Sequence, residues 1–193
     1  TKTGDVIAST SSGNLMKINS QTGRVNWSLN ALEVLLTDAT DFFKSSDIVL
    51  SDESIIFSTE TSIFSYNIVN GFTNWKQNVS SVAAPIIDGK NIFLVTENGF
   101  FVILDVDTGE IISSSNILNI LKEKKQSTEI TGFIMGSGKL YIVTYNGYLI
   151  VASSLSGKSE SFVKIGHPIT STPIINDGKL FIYTEKSRIL GFN

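Results

Sequence analysis

The sequence of 193 residues contains no cysteine, one histidine and only three prolines. The missing cysteine excludes disulfide frameworks, thiolate catalysis and cysteine-ligated zinc sites. The single histidine, His167, has no second imidazole with which to share a metal and no recognisable serine and aspartate partners, so we interpret it as a structural or surface residue. No catalytic residue, metal ligand or cofactor is predicted.

Charged residues are also scarce, at 17% of the chain, and the formal net charge is −3. This balance offers no basic face for nucleic acid, and the densest charge run, Lys122 to Lys125, is interpreted as a solvated loop or helix turn. Every apolar run is shorter than the roughly 18 residues that span a bilayer. A content of 41% hydrophobic residues instead predicts a folded domain with a sizeable core.

What the sequence does contain is a repeat. A turn with a central glycine recurs at steps of 48, 38 and 48 residues, at Gly23, Gly71, Gly109 and Gly157. A period of roughly 40 to 50 residues is typical of propellers, solenoids and arrays. We predict that these four glycines occupy equivalent turns in successive structural units.

Two further residue types accompany the glycines. Thr22 and Thr108 precede the first and third of them, and Trp27 and Trp75 follow the first and second by four residues. We predict that each indole docks between neighbouring units, with its N–H directed at a carbonyl. Exposed indoles that bind a ligand are the alternative interpretation.

Short runs of Ile, Val, Phe and Tyr, separated by Gly, Asn and Asp turns, predict strands of four to eight residues. The pair Asn98-Gly99 is typical of a tight hairpin turn. The same order of four strands recurs along the chain, and we predict 18 strands in all. The predicted first strands of the later units are Asp47–Ser51, Val82–Asp88, Ile130–Ser137 and Ile169–Asn176.

This pattern predicts an all-β fold, a β-propeller of four-stranded antiparallel blades with about four and a half blades present. We predict one partial propeller domain over residues 1–193. Complete blades are expected at about 45–79, 80–116 and 128–166, with blade remnants at 1–30 and 167–193.

Two irregular stretches, Ala31–Phe43 and Ile117–Lys125, lie between a fourth strand and the next first strand. We interpret both as inter-blade loops on one face, with a turn or two of helix in the second. Insertions at such places often form a binding surface. Phe42 and Phe43 are therefore the candidate partner contacts.

The spacing of Asp105 and Asp107 superficially suggests a calcium loop. The remaining ligands of an EF-hand loop, including its terminal glutamate, are not present. We predict instead that these carboxylates accept hydrogen bonds within the repeated turn.

The segment Met16–Trp27 resembles the tryptophan-docking repeat of quinoprotein-type β-propellers, which reads apolar-x-apolar-x-x-x-Thr-Gly-x-x-x-Trp. The segment Phe64–Trp75 matches it with Asn70 in place of threonine. Later copies lose the tryptophan, and Ser113 and Ser161 stand in its place. Docking is therefore expected to vary from blade to blade.

Within these propellers, the Asp177-Gly178-Lys179 turn and the apolar strands around it resemble the closing blade of the BamB family of outer-membrane assembly lipoproteins. The Ala-Pro and Thr-Pro elements at Pro85 and Pro173 resemble that family's first strands. The resemblance implies an eight-bladed ring of 32 strands, of which this chain would supply the C-terminal half. The rest, with any leader and lipid anchor, is expected upstream.

The resemblance implies a non-enzymatic scaffold that binds protein partners, either a barrel-assembly subunit or an unfolded client, on the periplasmic side of the outer membrane. Membrane contact is expected only through the N-terminal anchor, and self-association through open sheet edges is expected. A fragment of a quinone-dependent dehydrogenase and a ligand-sensing propeller domain of a receptor or kinase remain the alternatives.

Overall fold

Eighteen antiparallel strands form five separate sheets in the computed structural model, which describes residues 1–31, 45–51 and 53–193. Each sheet is a meander in which consecutive strands pair. Sheet 1 contains β1 (Val6–Ser9), β2 (Asn14–Ile18) and β3 (Val25–Asn30). Sheet 2 contains β4 (Val49–Leu50), β5 (Ser54–Ser58), β6 (Ile63–Asn67) and β7 (Thr73–Gln77).

The remaining three sheets follow in chain order. Sheet 3 contains β8 (Ile86–Asp88), β9 (Asn91–Val95), β10 (Phe100–Asp105) and β11 (Ile111–Asn116). Sheet 4 contains β12 (Ile130–Gly136), β13 (Lys139–Thr144), β14 (Tyr148–Ser153) and β15 (Ser159–Lys164). Sheet 5 contains β16 (Ile174–Asn176), β17 (Lys179–Thr184) and β18 (Arg188–Phe192). The predicted all-β class with four-stranded antiparallel units is confirmed.

The first strands of sheets 2, 3 and 5 are shorter than predicted, at Val49–Leu50, Ile86–Asp88 and Ile174–Asn176. In sheets 3 and 5 the strand begins directly after Pro85 or Pro173. Proline has no N–H to donate to a sheet and restricts the residue before it, so the continuous ladder starts only beyond the ring. Isolated backbone bonds precede it, from the Val82 N–H to the Val95 carbonyl in sheet 3 and at the Ile169–Thr184 bridge in sheet 5. The first strand of sheet 4 carries no proline and extends over seven residues, Ile130–Gly136.

The core consists of four apolar layers, and each layer lies between two consecutive sheets. We number these layers junction 1 to junction 4. Their largest fully buried side chains include Phe57 at junction 1, Leu94 at junction 2, Ile142 at junction 3 and Ile182 at junction 4. Burial of such side chains is the main favourable term in folding, so each sheet is stabilised mainly by its chain neighbours.

A 3-10 helix, Ile117–Ser127, connects sheets 3 and 4, and its backbone departs from helical geometry at Lys122 (φ 53°, ψ −124°). The predicted helix is present here, but its 11 residues make it longer than the turn or two predicted. None of the described helices is long and apolar enough to cross a membrane.

Among the residues that the structure describes, nothing covers one face of each of the two outermost sheets. On sheet 1 that face carries Val6 and Val25, which are about half exposed. On sheet 5 it carries Ile174, Tyr183 and Ile189, which are exposed to between 43% and 72%. Because strand residues alternate between faces, the opposite faces of the same strands supply the buried side chains of junctions 1 and 4.

Candidate functional site

The first three repeated glycine turns share one hydrogen-bonding scheme. Four residues before the glycine, a side-chain oxygen of Asn19, Asn67 or Asp105 accepts backbone N–H groups two and three residues further on, at 2.9–3.2 Å. The glycine N–H donates back to the carbonyl of the same residue at 2.9 Å. Side chains of Asn and Asp favour such turns because they hydrogen-bond their own backbone.

The carboxylate of Asp105 is committed to this turn. Hydrogen bonds from the backbone of Thr108 and Asp107 and from the Thr108 hydroxyl, together with the nearby charge of Lys90, hold the pKa of Asp105 below its usual range, although desolvation of the carboxylate acts in the opposite direction. Asn19 and Asn67 accept equivalent bonds without a charge. Among the described residues, no group of three or more His, Asp or Glu side chains is arranged to hold a metal ion.

The structure places each tryptophan against the glycine turn of the next sheet. Trp27 lies over Gly71 at junction 1, and its Nε1 donates to the carbonyl oxygen of Ile68 at 3.4 Å. Trp75 lies over Gly109 at junction 2, and its Nε1 donates to the carbonyl oxygen of Val106 at 3.0 Å. A Cβ atom on Gly71 would come within 2.9 Å of the Trp27 ring, and one on Gly109 within 2.5 Å of the Trp75 ring.

At junction 3 the tryptophan position is occupied by Ser113, which pairs with Ile103 as Trp75 pairs with Ser65. The 3-10 helix fills the space, and its Ile117, Leu118 and Leu121 are buried among the side chains of sheets 3 and 4. The Ser159 hydroxyl of sheet 4 donates to the carbonyl oxygen of Ile117 at 2.7 Å. This inter-blade segment thus forms part of the core.

Gly157 lies in the fourth glycine turn, where a Cβ atom would collide with Ser115 and Phe101. Phe101 is 1% exposed, whereas its neighbour Phe100 is 41% exposed, as the alternation of strand faces predicts. Thr22 and Thr108 both bond to the turn acceptor before them, since their hydroxyls donate to Asn19 at 2.8 Å and to Asp105 at 3.2 Å.

Phe42 and Phe43, the predicted partner contacts, lie outside the described residues. His167 lies beside the turn of Gly147, and its backbone carbonyl is within 2.5 Å of where a Gly147 Cβ would lie. A cleft of about 490 Å³, lined partly by Glu60, Glu97 and Glu129, opens between sheets 2, 3 and 4.

Apolar side chains exposed at the glycine turns were not among the predicted contacts. Val69 and Phe72 flank Gly71 and are 72% and 73% exposed, and Leu155 in the fourth turn is 87% exposed. The equivalent positions of the first turn hold Gln21 and Arg24. The signal was present in the sequence, because only the second turn carries apolar residues at both positions.

The family of the outer membrane protein assembly factor BamB matches residues 2–115, which is more than half of the chain. The chain belongs to the BamB family. BamB of Yersinia pestis is 23% identical over 93% of this chain and 46% of the relative, and BamB of Escherichia coli K12 is 22% identical over 96% and 47%. The chain therefore spans about half the length of the BamB relatives it matches.

Solved structures share the fold. BamB from Moraxella catarrhalis superimposes with a TM-score of 0.69 at 16% identity, over 97% of this chain and 58% of that one. The Swd1 β-propeller domain of Myceliophteria thermophila superimposes with a TM-score of 0.72 at 10% identity, over 99% and 62%. The five sheets are thus a partial β-propeller of BamB type, and the resemblance inferred from the repeat is confirmed.

Proposed function

We propose that this chain is part of a non-catalytic, protein-binding scaffold that assists the assembly of β-barrel proteins into the outer membrane. The observation that carries the proposal is the family match over residues 2–115, since the named relatives are outer membrane protein assembly factors. The parent protein would be lipid-anchored on the periplasmic side of that membrane. The chain would supply part of an eight-bladed ring.

The repeated turns support a scaffold role. The polar side chains that the repeat brings together, such as Asn19, Asn67 and Asp105, hydrogen-bond within their own turns. The indoles of Trp27 and Trp75 hold the second and third of those turns against the preceding sheet. We propose that Thr22, Thr108 and the four repeat glycines serve the same structural purpose, leaving the exposed parts of the turns to contact a partner.

We place the partner contact at the turn between β6 and β7. Val69 and Phe72 are largely exposed there, yet Gly71 between them is packed on Trp27, so the turn is held in place. A fixed, exposed aromatic side chain is the kind of residue that anchors protein interfaces. Phe42 and Phe43 remain a second proposed contact.

The test is a titration of the chain against the periplasmic domain of a barrel-assembly subunit, followed by calorimetry. We expect saturable binding by the unaltered chain and a loss of at least about tenfold in affinity for Phe72→Ser, because an anchor side chain contributes on the order of 2 kcal/mol. Leu155→Ser is the matched control, since it removes an even more exposed apolar residue from the equivalent turn of sheet 4.

Equal binding by Phe72→Ser and the unaltered chain would contradict the placement of the contact. No binding by the unaltered chain would contradict an assembly-subunit partner, and the same titration with an unfolded barrel protein would then test the client alternative. Light scattering on the same samples tests self-association, which we expect because sheets 1 and 5 each present an exposed apolar face.

A further inference from the structure

A cleft of about 210 Å³ lies between sheets 4 and 5, at the edge of junction 4. Most of its wall is apolar. The apolar and aromatic side chains that line it are Tyr141, Leu149, Val151, Ile175, Leu180 and Phe192. An apolar cavity of about 150 Å³ is large enough to hold a benzene molecule. This cleft can therefore accommodate an aromatic ring.

Strand register shows what the cleft corresponds to elsewhere in the chain. In sheet 2, Ser65 on the third strand pairs with Ile56 on the second strand and with Trp75 on the fourth. In sheet 4, Val151 on the third strand pairs in the same way with Tyr141 and Ser161. Tyr141 is therefore the equivalent of Ile56, and Ser161 is the equivalent of Trp75. Leu149, two residues before Val151, is likewise the equivalent of Ile63.

The opposite wall corresponds in the same way. In sheet 3, Ile87, Ile92 and Leu104 are paired neighbours on the first three strands. In sheet 5 the equivalent paired neighbours are Ile175, Leu180 and Phe192. At junction 2, Ile56, Ile63, Ile92, Leu104 and the partly buried Ile87 form the cluster that packs around Trp75. The cleft at junction 4 thus reproduces the apolar side walls of the Trp75 site. The positions equivalent to Val106 and Gly109, which contact the Trp75 indole at junction 2, would follow Asn193, the last residue of the sequence.

The difference is the side chain that fills this space. Trp75 is 8% exposed and occupies the space at junction 2. Ser161 is exposed at the equivalent position of junction 4 and is too small to fill the cleft. The cleft is also continuous with the buried layer of junction 4, to which Leu149 and Leu180 belong.

We infer that this cleft is a docking site for an aromatic side chain, of the size of an indole, presented by a partner polypeptide. The occupant is chosen by the internal equivalence: the same wall positions already pack around an indole at junction 2. Burial of an aromatic side chain in such a site supplies a large apolar area and, for tryptophan, leaves an N–H that needs an acceptor. Ser137 and Asn193 line the cleft, and their side-chain oxygens are possible acceptors for it.

The experiment is a titration of the isotope-labelled 193-residue chain with indole, followed by NMR. We expect saturable shifts confined to the amide and methyl signals of the cleft, Tyr141, Val151, Ile175 and Phe192 above all. Shifts that spread over the whole surface, or that rise linearly without saturating, would overturn the inference.

Ser161→Trp and Ser161→Ala form the matched pair of variants. The tryptophan is expected to occupy the cleft from within and to weaken indole binding at least tenfold, whereas alanine keeps the cleft open and binding unchanged. Undiminished binding by a folded Ser161→Trp chain, in which the new indole contacts Ile175, would contradict the assignment.

A measurement on the unaltered chain needs no variant to fold. Intermolecular NOEs from indole to the methyl groups of Leu149, Val151 and Ile175 are expected at saturation, and their absence would count against the site. The indole titration and the subunit titration test different proposals, so a failed indole titration does not contradict the proposed assembly role. A failed subunit titration likewise does not contradict the inference that the cleft is a docking site.

Discussion

Junctions 2 and 3 lie on opposite faces of the same sheet, yet they are filled by different means. At junction 2 a single indole, Trp75, crosses from one sheet to the glycine turn of the next. At junction 3 the same strand position is Ser113, and a 3-10 helix inserts Leu118 between the sheets instead. The sequence repeat therefore specifies the sheets, but it does not specify which side chains pack between them.

The two solutions make different demands on the backbone. At junction 2 the constraint falls on Gly109, whose missing side chain leaves room for the Trp75 ring. At junction 3 it falls on Gly99, because a Cβ atom there would collide with Leu118. In both cases a glycine with positive φ supplies a turn and a flat surface for a bulky apolar group.

Replacement of the indole at junction 2 is expected to have the largest effect. Trp75→Ala leaves a buried cavity and an unpaired carbonyl at Val106, and we expect a loss of about 3–5 kcal/mol in the free energy of unfolding, measured by urea denaturation. Trp27→Ala is the internal control and should cost less, because Trp27 is only partly buried and its hydrogen bond is longer. Equal losses for both would contradict this ranking.

Truncation of the helix side chain tests junction 3. Leu118→Ala is expected to cost about 2–5 kcal/mol, because Leu118 is 4% exposed and packs against Gly99. Leu155→Ala, at a position 87% exposed, should change the free energy of unfolding by no more than about 0.5 kcal/mol. If both leucines proved equally dispensable, the helix would not be part of the core.

Glycine substitutions separate the contact from the backbone conformation. Gly109 and Gly138 have nearly the same φ, +72° and +73°, but only Gly109 lies against an indole, and a Cβ on Gly138 would meet nothing within 4 Å. We expect Gly138→Ala to cost about 1–2 kcal/mol for the left-handed backbone alone, and Gly109→Ala to cost measurably more. Thermal denaturation of the two variants provides the measurement. Identical losses of stability would mean that the Trp75 ring moves away from the added methyl group without destabilising the fold.

The smallest expected effect concerns the charge in the third turn. Because the pKa of Asp105 is lower in the folded chain than in the unfolded chain, its carboxylate stabilises the fold above the unfolded pKa, and this contribution disappears as the pH falls through the folded pKa. Asp105→Asn keeps the turn acceptor that Asn19 and Asn67 provide. The variant should lose less stability than the unaltered chain on acidification below about pH 4, as followed by urea denaturation.

Acid sensitivity equal in both chains would show that the turn does not depend on the charge. Asp105→Ala, which removes the acceptor altogether, is the control for the turn itself. It should be destabilised at neutral pH as well, because the N–H groups of Asp107 and Thr108 lose their partner.

The sequence carried most of the fold because its repeat is local. The turn at Gly71 and the strand pairs around it depend on residues that are close together in the sequence. Such local patterns can be recognised without knowledge of the tertiary structure. The first strands of sheets 3 and 5 are shorter than the apolar runs predict, because Pro85 and Pro173 interrupt the pairing. The helix at Ile117–Ser127 was anticipated, but its place in the core was not.

The contacts between sheets were harder to predict. The tryptophan spacing indicated that Trp27 and Trp75 dock, whereas the replacement of Ser113 by a helix depends on a contact between Leu118 and Gly99 that no local pattern encodes. The empty space beside Ser161 could be found only from the register of six strands, β13 to β18, in sheets 4 and 5. Exposed residues such as Phe72 could have been found, because the position is polar in the first turn, where Arg24 occupies it.

The four apolar layers have a consequence for how the chain opens. Each layer joins only two consecutive sheets, so stability is approximately a sum of nearest-neighbour terms along a one-dimensional array. Sheet 3 is covered on both faces, by junctions 2 and 3, whereas sheets 1 and 5 are each covered on one. Amide hydrogen exchange should therefore be slowest around Leu94 and Leu104 and should quicken outward in both directions, so that the chain frays from its ends before its centre opens.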